Sequence, residues 1–174
     1  MKPNTIENLF LDQIRGLYDV EKQLVRALPK MAKAAESEEL AEGLRSHLVE
    51  TNEHVSRLEQ IFDLCGETPK VRACKTIRAL IAESKPVATM KGPIQDLMII
   101  RAGQEAEHIE MASYGNARTL AEKLGKKDAV ELLEQTLEEE KNADKKLTEV
   151  TPSIMDRAES DAGAEEKGMA LEEA

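Results

Sequence analysis

The stretch from residue 104 to residue 114 places two carboxylates on a helix face that is otherwise small or apolar. It reads QEAEHIEMASY. At about 100° per residue, Glu107 and Glu110 fall on one stripe with Tyr114. An ionised carboxylate in a protein interior costs several kcal/mol unless a partner compensates for it. A compensating group is therefore expected close to these two acids.

Three other segments also place acids on or beside an apolar stripe. Glu21 lies in the middle of the first stripe, Glu50 lies on the flank of the second, and Glu140 and Asp144 share the core face of the last. Together these carboxylates repel one another, and two divalent cations bound among the oxygens reverse that repulsion. Oxygen ligands with an imidazole nitrogen suit iron first and manganese next, and affinity order alone does not exclude zinc.

Two histidines of the second segment are candidates for the nitrogen ligand. His54 lies four residues after Glu50 and His47 lies three before it, so either shares a helix face with that acid. The helix-face argument favours His54, and His47 remains the alternative. His108 projects to the side opposite the acids of its own segment, so we expect it on the surface.

Both tyrosines of the chain lie one helical turn from a candidate ligand. Tyr18 precedes Glu21 by three residues, and Tyr114 follows Glu110 by four. Each hydroxyl is placed to orient a carboxylate by a hydrogen bond or to take part in electron transfer. A buried tyrosine that only packs and bonds a carbonyl group is the alternative.

The candidate residues belong to four long segments with the apolar periodicity of amphipathic helices. Asn4 with Glu7 predicts the start of the first helix, and Ser37 predicts the start of the second. Only a few residues separate helices one and two, and Gly125 begins a tight turn between helices three and four. Helices joined by such short connections are antiparallel neighbours. We expect the fourth helix to stop at Thr151-Pro152.

The segment from Gly66 to Pro93 differs, because three prolines and two glycines bracket one short helical candidate at 73–84. It is interpreted as a long crossover. Two helix hairpins joined by one crossover predict an all-α fold, a ferritin-like antiparallel four-helix bundle spanning residues 1–150. Residues 151–174 carry seven acids and two basic residues, and they are expected to form an acidic, disordered tail.

Composition excludes several classes of function. The chain has 174 residues, 2% aromatic residues and a formal net charge of −10, which argues against nucleic acid or an anionic membrane as a partner. Its N-terminus lacks a signal-peptide pattern, and its apolar runs are too short to span a bilayer. Cys65 and Cys74 do not form a disulfide framework, so reduced thiols in a cytoplasmic protein are expected.

The acids could also play an ordinary structural role. A helical glutamate is usually solvated or paired, and Arg57, Arg101 or Arg118 could neutralise one carboxylate. Acids lie on or beside the core stripe of all four helices, and two of these helices carry a pair of them. This combination favours the metal site over a structural role. The Glu107 and Glu110 pair alone would not.

Four stretches spread over nearly the whole domain carry a resemblance. They read YDVEKQL at 18–24, HLVET at 47–51, AEHIEMASYGNARTLAEKLG at 106–125 and TLEEEKNADKKLT at 136–148. With them the chain resembles the YciE/YciF family of ferritin-like bacterial stress proteins, and the YciF type more closely. The resemblance implies a ferritin-like bundle, a homodimer and a stress-associated role. It also implies a dinuclear metal site at Glu21, Glu50, Glu107, Glu110 and Glu140.

The chain departs from ferritins and rubrerythrins, which carry a Glu-x-x-His pair on the second and fourth helices. Here Glu53 and Ala143 occupy the two histidine positions, and His54 and Asp144 lie one residue later. A site richer in carboxylates changes metal preference and reactivity, so activity does not follow from those relatives.

Three functions are consistent with the sequence. The first is a di-metal oxidoreductase or peroxidase that activates oxygen or peroxide. The second is iron binding or sequestration without turnover, and the third is a helical interaction protein without metal. The sequence contains no phosphate-binding glycine loop, no H-E-x-x-H motif and no nucleophile motif, so it does not name a substrate.

Overall fold

The computed structural model describes residues 3–172, and that part of the chain is helical without any strand. The helices are α1 (Ile6–Ala34), α2 (Glu38–Leu64), α3 (Lys75–Ser84), α4 (Pro93–Lys123) and α5 (Lys127–Glu172). A short 3-10 helix, Lys85–Thr89, follows α3. None of these helices is long and apolar enough to cross a membrane.

Local signals in the sequence fix most helix ends. Ser37 caps α2, its hydroxyl accepting a hydrogen bond from the backbone N–H of Leu40. Gly66 and Gly125 follow α2 and α4 with φ values of 67° and 68°, a conformation that favours glycine. The predicted cap at Asn4 is wrong by one residue, because Thr5 accepts the bond that caps α1.

The predicted ferritin-like antiparallel bundle is confirmed. Helices α1 and α2 form one hairpin, α4 and α5 form the other, and the two hairpins pack through α1 against α4 and α2 against α5. The crossover between α2 and α4 contains α3 and the 3-10 helix. Several side chains attach it to α1. Among them, Arg72 pairs with Asp12 at 2.9 Å, and Asp19 accepts the backbone N–H of Cys74. The crossover therefore covers one side of the bundle.

The predicted end of the last helix at Thr151-Pro152 is wrong, since α5 continues through Pro152 to Glu172. Proline removes one backbone hydrogen bond and interrupts many helices. Here Ile154, one half-turn later, is fully buried in the core, so tertiary packing holds the helix together across the break. The predicted acidic tail thus begins inside α5. Its disorder stays a prediction, and its last two residues lie outside the described range.

The apolar core is divided into two parts along the bundle. One contains Phe10, Leu17, Phe62 and Leu133, and the other contains Leu28, Leu40, Ile99 and Ile154. Between them, every long helix contributes a buried polar residue to one central layer.

Candidate metal centre

The central layer brings together six buried titratable side chains from four helices. They are Glu21 of α1, His47 and His54 of α2, Glu107 and Glu110 of α4, and Glu140 of α5. Each lies on the core stripe of its helix, where apolar neighbours on both sides carry it inward. The stripes meet at the same level of the bundle because the helices are antiparallel and in close contact.

The first group in this layer is Glu21, His54 and Glu140. His54 Nδ1 lies 3.1 Å from Glu140 Oε1 and 3.5 Å from Glu21 Oε2. Neither contact has hydrogen-bond geometry, and Nδ1 has no such partner among the described residues. One nitrogen and two carboxylate oxygens therefore face a common point, close enough together to hold one metal ion.

The second group is His47, Glu107 and Glu140. His47 Nε2 lies 3.3 Å from Glu107 Oε1 and 3.7 Å from Glu140 Oε2. These three residues also satisfy the spacing for a metal ion. Glu140 takes part in both groups, one oxygen in each, so its carboxylate joins two adjacent candidate positions.

Glu110 lies beside both groups and has the least compensated carboxyl group. Its residue is 1% exposed, and neither side-chain oxygen has a hydrogen-bond partner in the part of the chain that the structure describes. Burial raises the pKa of this carboxyl group well above its ordinary value, and repulsion from Glu140, Glu21 and Glu107 raises it further. Without a cation, the group takes up a proton to avoid an uncompensated charge.

Glu140 and the two histidines also hold protons when no cation is present. Burial raises the pKa of Glu140 to about 8, although the contact with His54 opposes the change. Burial alone would lower the pKa of both histidines. Contacts with Glu140 and Glu21 instead raise that of His54 to about 10, and hydrogen bonds to Glu107 and Glu50 raise that of His47 well above its ordinary value. The metal-free layer thus retains protons that a cation would displace.

Tyr114 orients one of the carboxylates. Its hydroxyl donates a 2.5 Å hydrogen bond to Glu21 Oε1, and its ring is fully buried next to His54. Burial and the negative charge of Glu21 raise the pKa of this phenol well above its ordinary value. Tyr114 therefore remains a donor, and the second oxygen of Glu21 is turned towards His54.

Two residues that the sequence did not assign to this role hold His54 in place. His54 Nε2 lies 2.9 Å from Glu139 Oε2, and Arg57 donates two hydrogen bonds to the same carboxylate at 2.5 and 3.0 Å. From the sequence, Arg57 is expected only as a counterion, and Glu139 has no predicted role. The spacing of Arg57 three residues after His54 was the available signal, since both then project from one face of α2.

Glu50 occupies the edge of the layer. Its side chain is 30% exposed, and it contacts His47 Nδ1 at 3.3 Å and Lys146 Nζ at 3.6 Å. The hydrogen bond from His47 lowers the pKa of Glu50 below its ordinary value, although partial burial opposes the change. Glu50 thus stays ionised beside the second group and orients His47.

Two predicted residues do not join the layer. Asp144 lies one turn beyond Glu140 but accepts a hydrogen bond from Gln104 and remains 24% exposed in its side chain. Tyr18 donates its hydroxyl hydrogen bond to Glu59 at 2.7 Å, away from Glu21. His108, whose side chain is 68% exposed, lies on the surface as its helical angle predicts.

The residues of this layer fit a pair of divalent cations. Six buried carboxylate oxygens of Glu21, Glu107, Glu110 and Glu140 have no hydrogen-bond partner among the described residues. Natural proteins rarely leave buried polar atoms unpaired, and a bound ion can satisfy several such atoms at once. Oxygen donors with two imidazole nitrogens are a set that iron and manganese accept.

Comparison with known proteins identifies relatives over most of the chain. A sequence model of the family described as Domain of unknown function (DUF892) matches residues 5–159. Protein YciF of Escherichia coli (strain K12) is 40% identical over 153 residues, covering 86% of this chain and 92% of that protein.

Solved structures show the same architecture. The crystal structure of the E. coli stress protein YciF matches with a TM-score of 0.85 at 38% identity, covering 89% of this chain and 99% of that one. YcfI from Rhodopseudomonas palustris matches with a TM-score of 0.81 at 38% identity, covering 84% and 95%. A protein from Xanthomonas campestris pv. campestris, at 16% identity and a TM-score of 0.71, shares the fold.

Proposed function

The chain belongs to the DUF892 family, and on that premise we propose that it is a stress-associated protein that binds two iron or manganese ions in its bundle. The proposal includes redox chemistry linked to oxygen or peroxide. The stress association follows from the similarity to the stress protein YciF over most of both chains. The metal and the chemistry rest on the central layer.

One observation carries the metal proposal: six carboxylate oxygens are buried without hydrogen-bond partners among the described residues, next to two buried imidazoles. Four carboxylates at this proximity cannot all ionise in an apolar interior without cations. If these residues had only a structural role, apolar side chains of similar volume would stabilise the bundle at least as well. The arrangement therefore favours a ligand set over a set of salt bridges.

The proposed ligands divide into the two groups that share Glu140. In the first, Glu21 and His54 supply oxygen and nitrogen, and Tyr114 and Glu139 fix their orientation. In the second group, Glu107 supplies an oxygen and His47 supplies a nitrogen, and Glu50 contacts His47.

Glu110 lies where its free oxygens complement either position, since its carboxyl group is repelled by the acids of both groups. Its neutralisation by a cation would remove that repulsion.

Two iron or manganese ions held in this way supply one-electron chemistry for dioxygen or a peroxide. The protein contributes a mostly apolar surrounding, which strengthens the electrostatic interactions within it. Tyr114 is the one described redox-capable aromatic residue in contact with the layer. Its position supports a role in moving an electron or a proton at Glu21.

The three histidines provide a test with a built-in control. Untagged protein is stripped of metal and loaded anaerobically with ferrous iron, or titrated with manganese in a calorimeter. We expect two ions per chain for the parent and for His108→Ala, because His108 is exposed. The His54→Ala and His47→Ala proteins should each lose one ion or bind it at least tenfold more weakly.

Equal binding by all four proteins, or no stoichiometric metal in the parent, would contradict the metal proposal and leave the helical interaction function.

If the protein binds metal, oxygen consumption distinguishes an oxidoreductase from an iron-sequestering protein. Repeated uptake by iron-loaded protein in the presence of a reductant supports catalysis. A single uptake of oxygen that matches the bound iron supports sequestration.

The homodimer and the cytoplasmic location stay predictions. Light scattering after gel filtration measures the oligomeric state.

A further inference from the structure

A cavity of about 250 Å³ adjoins the central layer on the side of the second group. Its walls come from all four long helices and from the crossover, and most of the lining is aliphatic. The larger apolar residues that line it include Leu24, Leu28, Leu44, Leu80, Ile81 and Leu147. On α2 the lining extends from Glu39 to Glu50, a length of roughly 16 Å at 1.5 Å per residue. The space is therefore long and narrow, parallel to the helices.

Small residues keep this space open. Gly43, Gly103, Ala106 and Ala143 line it on three helices. A Cβ atom at Gly103 would come within 2.9 Å of Leu147, so the glycine allows close packing at that level. A Cβ atom at Gly43 would meet nothing within 4 Å. Gly43 is exposed where it lines the cavity, so a larger side chain has room at this opening without displacing the walls.

The inner end of the cavity is polar. His47 and Glu107 line it, and their side chains are 9% and 5% exposed. Glu107 Oε1 lies near His47, but Oε2 has no hydrogen-bond partner among the residues described. A buried carboxylate thus lies at the end of an aliphatic channel, on the margin of the proposed metal positions.

Charged residues also line the exposed margin of the cavity, and the lysine among them is paired in the described structure. Lys146 lines it and lies 3.6 Å from Glu50. Glu149 also lines it and lies 3.6 Å from Lys145. An anionic ligand would have to compete with these acids outside and with Glu107 inside. The acids therefore disfavour a fatty acid anion, and the cations proposed for the central layer disfavour an alkylammonium ion. Neutral molecules are the better match to the metal-loaded and the metal-free protein alike.

We propose that this cavity binds a neutral, unbranched aliphatic alcohol, with its chain along the channel and its hydroxyl group donating to Glu107. An apolar cavity of roughly 150 Å³ already accommodates benzene, so the larger volume here suits a medium-length chain. The inference deepens the proposed function, because the alcohol oxygen would lie beside the metal positions as a substrate does. Binding itself does not depend on metal.

Octanol is the probe, titrated calorimetrically into full-length protein with and without manganese. We expect saturable binding of one molecule per chain in both states. Sodium octanoate and octylamine have the same chain length and opposite charges. Octanoate should bind the metal-free protein at least tenfold more weakly than octanol, because the acids repel it. Octylamine should bind the manganese-loaded protein at least tenfold more weakly than octanol, because the bound cations repel it.

A pair of glycine substitutions locates the site. Gly43→Leu fills the outer part of the channel and should weaken octanol binding at least tenfold. Gly115→Leu is the matched control, since Gly115 also lies inside a helix with nothing within 4 Å of an added Cβ atom, but it does not line the cavity. It should bind octanol as the parent does.

A second pair enlarges the cavity instead. Leu147→Ala removes a wall residue, whereas Leu133→Ala removes a buried leucine of the same helix in the other half of the core. Only Leu147→Ala should shift the preference from octanol towards longer alcohols. This pair keeps the test decisive if the Gly43 variant does not fold.

The outcomes separate this inference from the proposed function. Metal binding without saturable octanol binding would overturn the alcohol site and leave the metal centre standing. Octanol binding without stoichiometric metal would support the cavity and contradict the metal centre. Equal effects of the two glycine variants would overturn the assignment of the ligand. So would tighter binding than that of octanol, by octanoate to the metal-free protein or by octylamine to the manganese-loaded protein.

Discussion

His54 turns Nε2 towards Glu139 Oε2 at 2.9 Å, on the side of the ring opposite the carboxylate cluster. Glu139 is in turn held by two hydrogen bonds from Arg57. The contact keeps a proton on Nε2, so Nδ1, which faces Glu21 and Glu140, is the nitrogen that can donate an electron pair once a cation displaces its proton. An ion pair near the surface thereby fixes the orientation of a buried imidazole, and outer carboxylates commonly do the same at metal sites.

The Glu139→Gln variant should lose metal affinity without losing a ligand. The amide cannot compensate Arg57, and it holds the His54 ring less firmly, so we expect affinity to fall about 10- to 100-fold. Glu138→Gln is the control, because Glu138 is exposed and pairs only with Lys141 in the described structure. Calorimetric titration with manganese gives the dissociation constant of each variant. Equal constants for the two variants would show that Glu139 is not a positioning residue.

The Glu110→Gln variant should have opposite effects with and without metal. Its carboxyl pKa is raised in the folded protein, so near pH 7 the group favours unfolding and its removal should stabilise the metal-free protein by about 1 to 3 kcal/mol. With metal present, the same change removes negative charge that the cations need, so the variant should gain less stability from metal than the parent does.

Thermal unfolding with and without manganese measures both effects of Glu110→Gln. A hundredfold excess of metal over its dissociation constant should stabilise the parent by about 2.7 kcal/mol. A variant that is more stable than the parent under both conditions would indicate that Glu110 is no ligand and would favour the non-metal function.

The metal-free protein should become less stable as the pH rises. Glu140 titrates at about 8 in the folded state against 4.5 in a free side chain, so its favourable contribution is complete below pH 4.5 and is lost up to pH 8. His54 titrates at about 10 against 6.5, so its contribution is lost between those values. Urea unfolding of chelator-treated protein across this range measures the decline. Stability that increases with pH would contradict these assignments.

Metal affinity should change in the opposite direction over the same range. Cations displace the protons that Glu110, Glu140 and the histidines hold in the metal-free layer, so binding should release protons and tighten with pH. Calorimetry in two buffers of different ionisation enthalpy counts the protons released. No proton release would indicate that the metal binds elsewhere.

Asp144 and Glu140 should differ as ligands although they share a helix face. Glu140→Gln should reduce bound metal to less than one ion per chain, because Glu140 belongs to both groups. Asp144→Asn should bind two ions with affinity within about threefold of the parent, since Asp144 lies outside both groups and bonds Gln104. Elemental analysis of dialysed protein measures the difference. Metal loss in Asp144→Asn would place that residue in the ligand set.

Periodicity made much of the site predictable. Glu21, Glu107, Glu110 and Glu140 lie at core positions of their helices, and charge at a core position is visible in the sequence because the expected apolar residue is replaced. The same pattern, with short breaks around Ala34 to Ser37 and at Gly125-Lys126-Lys127, predicted the order and pairing of the helices. The structure places these breaks at residues 35–37 and 124–126. The end of α5 was not predictable from Pro152, because the burial of Ile154 overrides it.

The sequence alone determined which helix faces are buried and which acids lie on them, because helical geometry is local and repeats every 3.6 residues. Only the tertiary structure decided the partners. It brought both His47 and His54 to the layer, turned Asp144 to Gln104 and Tyr18 to Glu59, and placed Glu139 behind His54. These outcomes depend on the rotation and axial offset of one helix against another, which packing sets and spacing within one helix does not reveal.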